Sequence, residues 1–158
     1  MNASGGSDGG ISGGLEDVLG RMELEFAVNL PREYREAITD FPLTGDGQEP
    51  LLFENPDSIH AINRRYREEG FRGCLWPPEL FVIGGNSVGD VYFLDLSREI
   101  SPVFAVTYDM EGFDPAAIDR LIQSASFSQW VEELSLGQDW FREVQERRRG
   151  KKWWQFWI

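Results

Sequence analysis

The chain contains a glycine-rich turn whose residue types could bind a phosphate group. Residues 84–89 read Gly-Gly-Asn-Ser-Val-Gly and separate two apolar runs. A phosphate-binding loop would end in Gly-Lys-Ser or Gly-Lys-Thr and would lead into a helix whose N-terminal amides hold the phosphate. Residues 91–96 are instead strand-like, and the lysine is absent. The pattern therefore favours a β-hairpin turn shaped by Gly84, Gly85, Gly89 and Asp90, with the glycines at positive φ.

Three carboxylates follow one another closely at Asp109, Glu111 and Asp114. Such a group could bind a cation or perform acid–base work, but the spacing is not that of an EF-hand and no nucleophile accompanies it. Asp114 precedes a proline and is well placed as a helix N-cap. Asp109 and Glu111 are therefore interpreted as solvated or partner-facing, and an enzyme that uses them is kept as a third hypothesis.

His60 and Cys74 are the only histidine and cysteine in the chain. One cysteine excludes an intrachain disulfide and a zinc site built on several cysteines. His60 shares a predicted helix side with two arginines and is expected to be a solvated surface residue. Cys74 lies beside Leu75 and Trp76 and is expected to be an ordinary buried thiol. We predict no catalytic residue, no metal and no cofactor.

The net charge of −12 is unevenly distributed along the 158 residues. Residues 142–158 hold six basic and two acidic residues, so they carry +4 and residues 1–141 carry −16. An acidic body repels a phosphate backbone and attracts a basic protein. We expect a basic protein partner and no nucleic acid on the main surface. No apolar run reaches the length of about 20 residues that a membrane span needs, and no secretion signal is apparent, so a cytoplasmic location is expected.

The apolar spacing predicts helices first, then strands, then helices. Helices are expected from residue 15, over residues 31–40 and over residues 56–70, with Gly70 as the stop. Strands are expected at residues 51–53, 80–83, 91–96 and 102–108, forming an antiparallel meander. Apolar positions after Asp114 predict a helix to about residue 125, continued from Phe127 to Leu134. This segregation indicates an α+β fold, a mainly antiparallel sheet flanked by N- and C-terminal helices.

The two ends of the chain differ from the middle in composition. Residues 1–14 contain six glycines and are expected to form a flexible tail. Residues 15–158 are predicted to be a single domain. Residues 147–158 combine basic residues with three tryptophans, which is typical of membrane-surface peptides or of nucleic-acid stacking platforms. Because the body is acidic, we favour packing of this segment against the domain itself.

Four motifs together resemble the SUKH superfamily. They are Leu30-Pro31-Arg32-Glu33-Tyr34-Arg35-Glu36, Ile83 to Leu96 with its glycine turn, Tyr108-Asp109-Met110-Glu111 after the strand from Pro102, and Ser126-Phe127-Ser128-Gln129-Trp130. They occur in the family's order between residue 15 and about residue 136. The resemblance implies an α+β binding module that has no catalytic residues.

The same resemblance implies the function that we expect. The superfamily includes bacterial immunity proteins that bind and neutralise toxins, often nucleases, and fungal regulators of cell-wall synthesis. We expect a stoichiometric complex with a basic protein toxin, with a regulatory scaffold as the alternative. Asp46, Glu49, Asp109 and Glu111 are the candidate contact residues because they lie near predicted turns. The oligomeric state is left open.

Overall fold

A computed structural model describes residues 14–40, 51–52, 56–86 and 88–134 of the chain. Two of the candidate contact residues, Asp46 and Glu49, lie outside these ranges, as do the predicted tail up to residue 13 and the basic, tryptophan-containing segment. The elements in chain order are α1 (Leu15–Phe26), α2 (Arg32–Asp40), β1 (Leu51–Leu52), α3 (Pro56–Glu69), β2 (Leu80–Gly85), β3 (Val91–Asp95), β4 (Val103–Val106), a 3₁₀ helix (Pro115–Leu121) and β5 (Ile122–Ser124). Residues 127–134 form a last described helix, α4.

The five strands form one sheet in the order β1-β2-β3-β4-β5, and each neighbouring pair is antiparallel. The predicted α+β class and the meander are confirmed. Leu80 pairs with Asp95 at one end of the central hairpin, and Gly85 pairs with Val91 at the other. We call the first the far end and the second, which carries the β2–β3 turn, the turn end. Strands of about five residues separate the two ends by roughly 16 Å.

The core consists of two clusters, one on each face of the sheet. Successive strand residues point to opposite faces, and Phe81 and Leu94 belong to one cluster while Val82 and Phe93 belong to the other. The first cluster adds buried residues of α1, α2 and α4, which are Leu19, Met22, Tyr34, Ile38, Phe127 and Trp130. The second adds the aromatic residues Tyr66, Phe71, Trp76 and Phe113. A sheet covered on both faces explains why β2 reads as a continuous apolar run.

Asn63 on α3 completes the hydrogen bonding of β2 at Val82. The described residues of β1 pair with Gly84 and Gly85, and among the described residues it is Asn63 that bonds the outer edge of β2 at Val82. The fully buried Asn63 side chain accepts from the Val82 N–H at 2.8 Å and donates to the Val82 carbonyl at 3.0 Å. The helix thereby covers a strand edge that would otherwise leave buried polar groups unpaired.

One predicted helix is wrong. Asp114 is the expected N-cap, since its side chain accepts from the Ala116 N–H at 2.9 Å. The following helix is of the 3₁₀ type, and its backbone is non-helical at Ala117. Residues from Ile122 then pair with β4 as strand β5. Pairing with the open edge of β4 overrides the apolar spacing, and Ile122 is exposed instead of being part of a helix core.

Candidate protein-binding surface

The β2–β3 turn is held by a reciprocal contact between Asn86 and Asp90. The Asn86 Oδ1 accepts from the Asp90 N–H at 2.8 Å, and its Nδ2 donates to Asp90 Oδ2 at 2.7 Å. The other Asp90 carboxylate oxygen accepts from the Tyr108 N–H at 2.8 Å. Asp90 therefore joins the turn to the chain that leaves β4, which fixes the position of Tyr108. This supports the predicted structural role of Asp90.

The glycines of this turn do not all have the predicted role. Gly84 and Gly85 are strand residues, paired with Tyr92 and Val91 across a register shift after Val82. A glycine at positive φ is found at Gly89, with φ of 98°. The prediction of a left-handed backbone is therefore wrong for Gly84 and Gly85, because β2 extends through both of them to reach β1. Gly89 alone of the three requires the freedom that a missing Cβ gives.

Two apolar side chains and two acids form what we call the turn-end surface: Val88, Tyr108, Asp109 and Glu111. The exposed fractions of Tyr108 and Val88 are 62% and 59%. A Cβ placed on Gly89 would lie 3.6 Å from the Tyr108 Cβ, so the turn and Tyr108 are neighbours. Asp109 and Glu111 are also exposed. The surface thus combines an aromatic side chain with carboxylates on one short stretch.

The acids of the turn-end surface are not neutralised within the part of the chain that the structure describes. Asp109 accepts a hydrogen bond from the Thr107 hydroxyl at 2.5 Å. No arginine, lysine or histidine side chain of the described ranges lies within ion-pair distance of Asp109 or Glu111. Their negative charge is therefore available to a partner.

Arg72 forms hydrogen bonds to the loop that carries Tyr108 and Asp109. Its Nη1 donates to the Thr107 carbonyl at 3.0 Å and to the Met110 carbonyl. Arg72 has φ of 47°, which a non-glycine residue rarely adopts, and its guanidinium lies 4.8 Å from the centroid of the Phe71 ring. Carbonyls on both sides of Tyr108 and Asp109 therefore accept from one side chain. A preorganised loop loses less entropy when it binds.

Cys74 supports the same loop by packing. A Cβ on Gly112 would lie only 2.3 Å from the Cys74 Sγ, so Gly112 leaves the space that the sulfur fills. Cys74 is a free thiol of intermediate exposure, where the sequence predicted a buried one. The half-exposure follows from its place in the turn between Phe71 and Cys74, whose backbones bond each other.

His60 lies in a charged cluster on the other side of the molecule. Its Nε2 is 2.5 Å from Glu25 Oε2, and Arg64 donates to Glu25 Oε1 at 2.7 Å. The imidazole stacks on Phe26, with centroids 5.6 Å apart. His60 is therefore half-buried and paired, and the prediction of a solvated residue is wrong. The hydrogen bonds from His60 and then Arg64 lower the pKa of Glu25.

The candidate contact residues are thus only partly brought together. Asp109 and Glu111 lie on the turn-end surface, next to the turn of Gly89 and Asp90. Sequence reasoning missed Tyr108 and Val88. An apolar residue in a glycine turn was an available signal for Val88, whereas Tyr108 lies at the end of a predicted strand, where an aromatic residue is expected to be buried. It also missed Arg72, whose role depends on a left-handed backbone conformation that no local sequence pattern predicts.

The described residues contain no group of three or more histidine, cysteine, aspartate or glutamate side chains placed to hold a metal ion. Within the same ranges, no helix has the length and apolar character needed to cross a membrane. The turn-end surface combines exposed carboxylates with an exposed aromatic side chain.

Comparisons with protein-family models, with curated proteins and with solved structures find no match to this chain.

Proposed function

We propose that this chain is an immunity protein that binds a basic protein toxin and neutralises it by forming a stoichiometric complex. The observation that carries the proposal is Tyr108, an exposed aromatic residue on a loop whose main chain forms hydrogen bonds with Arg72 and Asp90. Tyrosine is among the residues that most often dominate binding energy at interfaces. The resemblance to the SUKH superfamily supports the same reading.

The charge distribution supports a basic partner. Residues 1–141 carry −16 in total, and the acids beside Tyr108 are unpaired within the described ranges. Complementary fields raise the rate at which two proteins meet and orient the encounter. The negative field of the acidic body would raise the rate at which a basic toxin meets this protein. Tyr108 and Val88 would then supply the apolar contact when water is displaced from the interface.

Co-expression with the protein encoded by the neighbouring gene tests the proposal. The expected result is rescue from toxicity and a one-to-one complex that survives gel filtration. Replacement of Tyr108 by alanine should weaken the complex and reduce rescue while the protein remains folded. The matched control is Leu24→Ala on α1, which shortens another exposed apolar side chain outside the turn-end surface; its complex should be unchanged.

Rescue also separates this proposal from a regulatory scaffold. A scaffold of the fungal type would bind proteins of its own cell and would give no protection against a toxin. Absence of both rescue and complex with the neighbouring gene product and with other candidate toxins would contradict the immunity function.

A further inference from the structure

The described structure defines the direction in which the chain enters residues 142–158, which we call the basic segment. Strand β5, just before α4, ends at Ser124, which pairs with Val103 at the far end of β4. Trp130 on α4 packs on Tyr92, with ring centroids 5.2 Å apart, and Tyr92 is one residue from the turn end of β3. Helix α4 therefore runs from the far half of the sheet toward the turn end, and the chain leaves it on that side.

The length of chain after α4 is sufficient for the basic segment to reach the turn-end surface. Helix α4 is described to residue 134, and Lys151 lies 17 residues further along the chain. Even at the helical rise of about 1.5 Å per residue, 17 residues span about 25 Å. This exceeds the roughly 16 Å between the two ends of the central hairpin. The turn-end surface therefore lies within reach of the lysines.

The charge of the basic segment complements the charge of the turn-end surface. Residues 142–158 carry +4, whereas Asp109 and Glu111 are exposed and form no ion pair with a basic side chain of the described ranges. Glu25 on α1, in contrast, is already bonded to a histidine and an arginine. A positive segment is attracted most strongly to a place where negative charge is not yet balanced.

The apolar groups of the two regions also match. The two lysines of the basic segment are followed by four aromatic residues, Trp153, Trp154, Phe156 and Trp157. Tyr108 is the exposed aromatic residue of the described ranges, since every other aromatic ring there is buried or half-buried. Contact between aromatic rings removes apolar area of both from water. The segment therefore offers cations beside aromatic rings, and the surface offers carboxylates beside an aromatic ring.

We propose that residues 151–158 occupy the turn-end surface of their own chain, and that a basic partner binds there only after displacing them. The lysines pair with Asp109 and Glu111, and an aromatic ring of the segment covers Tyr108. Because segment and surface belong to one molecule, a weak contact is enough for substantial occupancy. The free fraction of the surface then sets the apparent affinity for the partner. The displacement rests on the proposed function, whereas the occupancy does not.

Carbodiimide cross-linking of the 158-residue chain tests the occupancy, because this reagent joins a lysine amine to a carboxylate that touches it. Lysine occurs in this chain only at positions 151 and 152, so every lysine–carboxylate link reports where the segment lies. The expected result is a set of intramolecular links from the lysines to Asp109 or Glu111, identified by mass spectrometry of proteolytic fragments. Their yield should fall as the salt concentration is raised.

Tyr108→Ala provides the matched comparison, since it leaves the lysines and both carboxylates in place. The initial rate at which these links form should fall about threefold or more, as expected for the loss of an aromatic contact. The control Leu24→Ala shortens an exposed apolar side chain on α1 and should leave the rate unchanged. Both side chains are exposed, so the two variants should remain folded.

Three results would overturn the occupancy. Absence of links, or links confined to other carboxylates such as Glu143 and Glu146 of the segment itself, would place the lysines elsewhere. An unchanged rate in Tyr108→Ala would show that the segment does not cover the tyrosine. Links between copies, detected in a mixture of isotope-labelled and unlabelled protein, would make a second copy the occupant.

The displacement is tested by adding the toxin encoded by the neighbouring gene. Formation of the complex should abolish the intramolecular links, and links that persist in the complex would contradict the displacement. If the links form in the free chain but no toxin is bound, only the proposed function fails. If the toxin is bound and the free chain forms no links to Asp109 or Glu111, only the present inference fails.

Discussion

The buried aspartate Asp95 at the far end of the sheet and the exposed acids Asp109 and Glu111 at the turn end differ in how their charge is balanced. At the far end, the buried Asp95 accepts from Ser97 and Arg98, and Arg98 extends the network to Asp119. At the turn end, Asp109 and Glu111 are exposed without a basic partner in the described part of the chain. The first arrangement satisfies a buried carboxylate and stabilises a turn, whereas the second leaves charge free for another molecule. The contrast indicates which acids support the fold and which are available for binding.

The apolar residues show the same division. Aromatic residues in the middle of the sheet, such as Phe93 and Phe104, stack on each other with centroids 5.4 Å apart and are fully buried. Tyr108 continues β4 beyond its last paired residue and is largely exposed. Its exposure is maintained by contacts to its backbone neighbours, since Asp90 and Arg72 bind main-chain groups around it and leave the ring free.

Removal of the Asn63 amide should have the largest effect on stability. Asn63→Ala leaves the N–H and carbonyl of Val82 buried and unpaired, and each such group costs about 1–3 kcal/mol. We expect a loss of about 2–4 kcal/mol in the free energy of unfolding, measured by urea denaturation. The control Asn29→Ala, at an exposed asparagine, should stay within about 0.5 kcal/mol of the original protein. A loss below that for Asn63→Ala would mean that α3 does not complete the edge of β2.

Substitution of one aspartate at each end tests the contrast directly. Asp95→Ala removes the acceptor of three hydrogen bonds at a residue that is 7% exposed, and it should cost about 2 kcal/mol. Asp109→Ala should cost less than about 0.5 kcal/mol, since the carboxylate is exposed and bonds only a neighbouring hydroxyl. Equal losses for the two variants would remove the distinction between the ends.

Acidification should destabilise the α1–α2 junction. Burial raises the pKa of Glu23, but hydrogen bonds from Arg35 and the Leu30 N–H outweigh it, so its pKa in the folded protein lies below the usual value of 4.5. A lowered folded pKa gives stability that is present above the unfolded pKa and is lost as pH falls through the folded pKa. Thermal unfolding should therefore show a decline below about pH 4.5 that is shallower in Glu23→Gln. A slope in Glu23→Gln equal to that of the original protein would contradict the assignment.

The sequence predicts the fold well where local patterns and burial agree. The α1 stripe, the Pro-led α2 and the double-sided burial of β2 follow from apolar spacing, and each is found. β5 could not be predicted because residues from Ile122 have helical spacing, and only the open edge of β4 makes them a strand. The role of Asn63 could not be predicted either. A polar residue on an apolar helix face does not indicate its partner until the Val82 backbone is known to lie beside it.

The negative charge of the turn-end surface could be predicted from the sequence, but its exposed tyrosine could not. Asp109 and Glu111 follow a strand, so their exposure at a turn could be expected from the sequence. Tyr108 could not be identified as exposed, because aromatic residues in a strand are usually buried, and its exposure results from where pairing to β3 ends, at Val106 opposite Val91. The Arg72 contacts join residues 35 or more positions apart, which no local motif encodes.

The dissociation constant of the complex between the toxin encoded by the neighbouring gene and the Tyr108→Ala variant tests the central claim most directly. Isothermal titration should show affinity weakened by about thirtyfold or more, which corresponds to about 2 kcal/mol for a dominant interface residue. The free energy of unfolding should stay within about 0.5 kcal/mol of the original value. An affinity equal to that of the original protein, measured on a folded variant, would contradict the assignment of the turn-end surface as the binding surface.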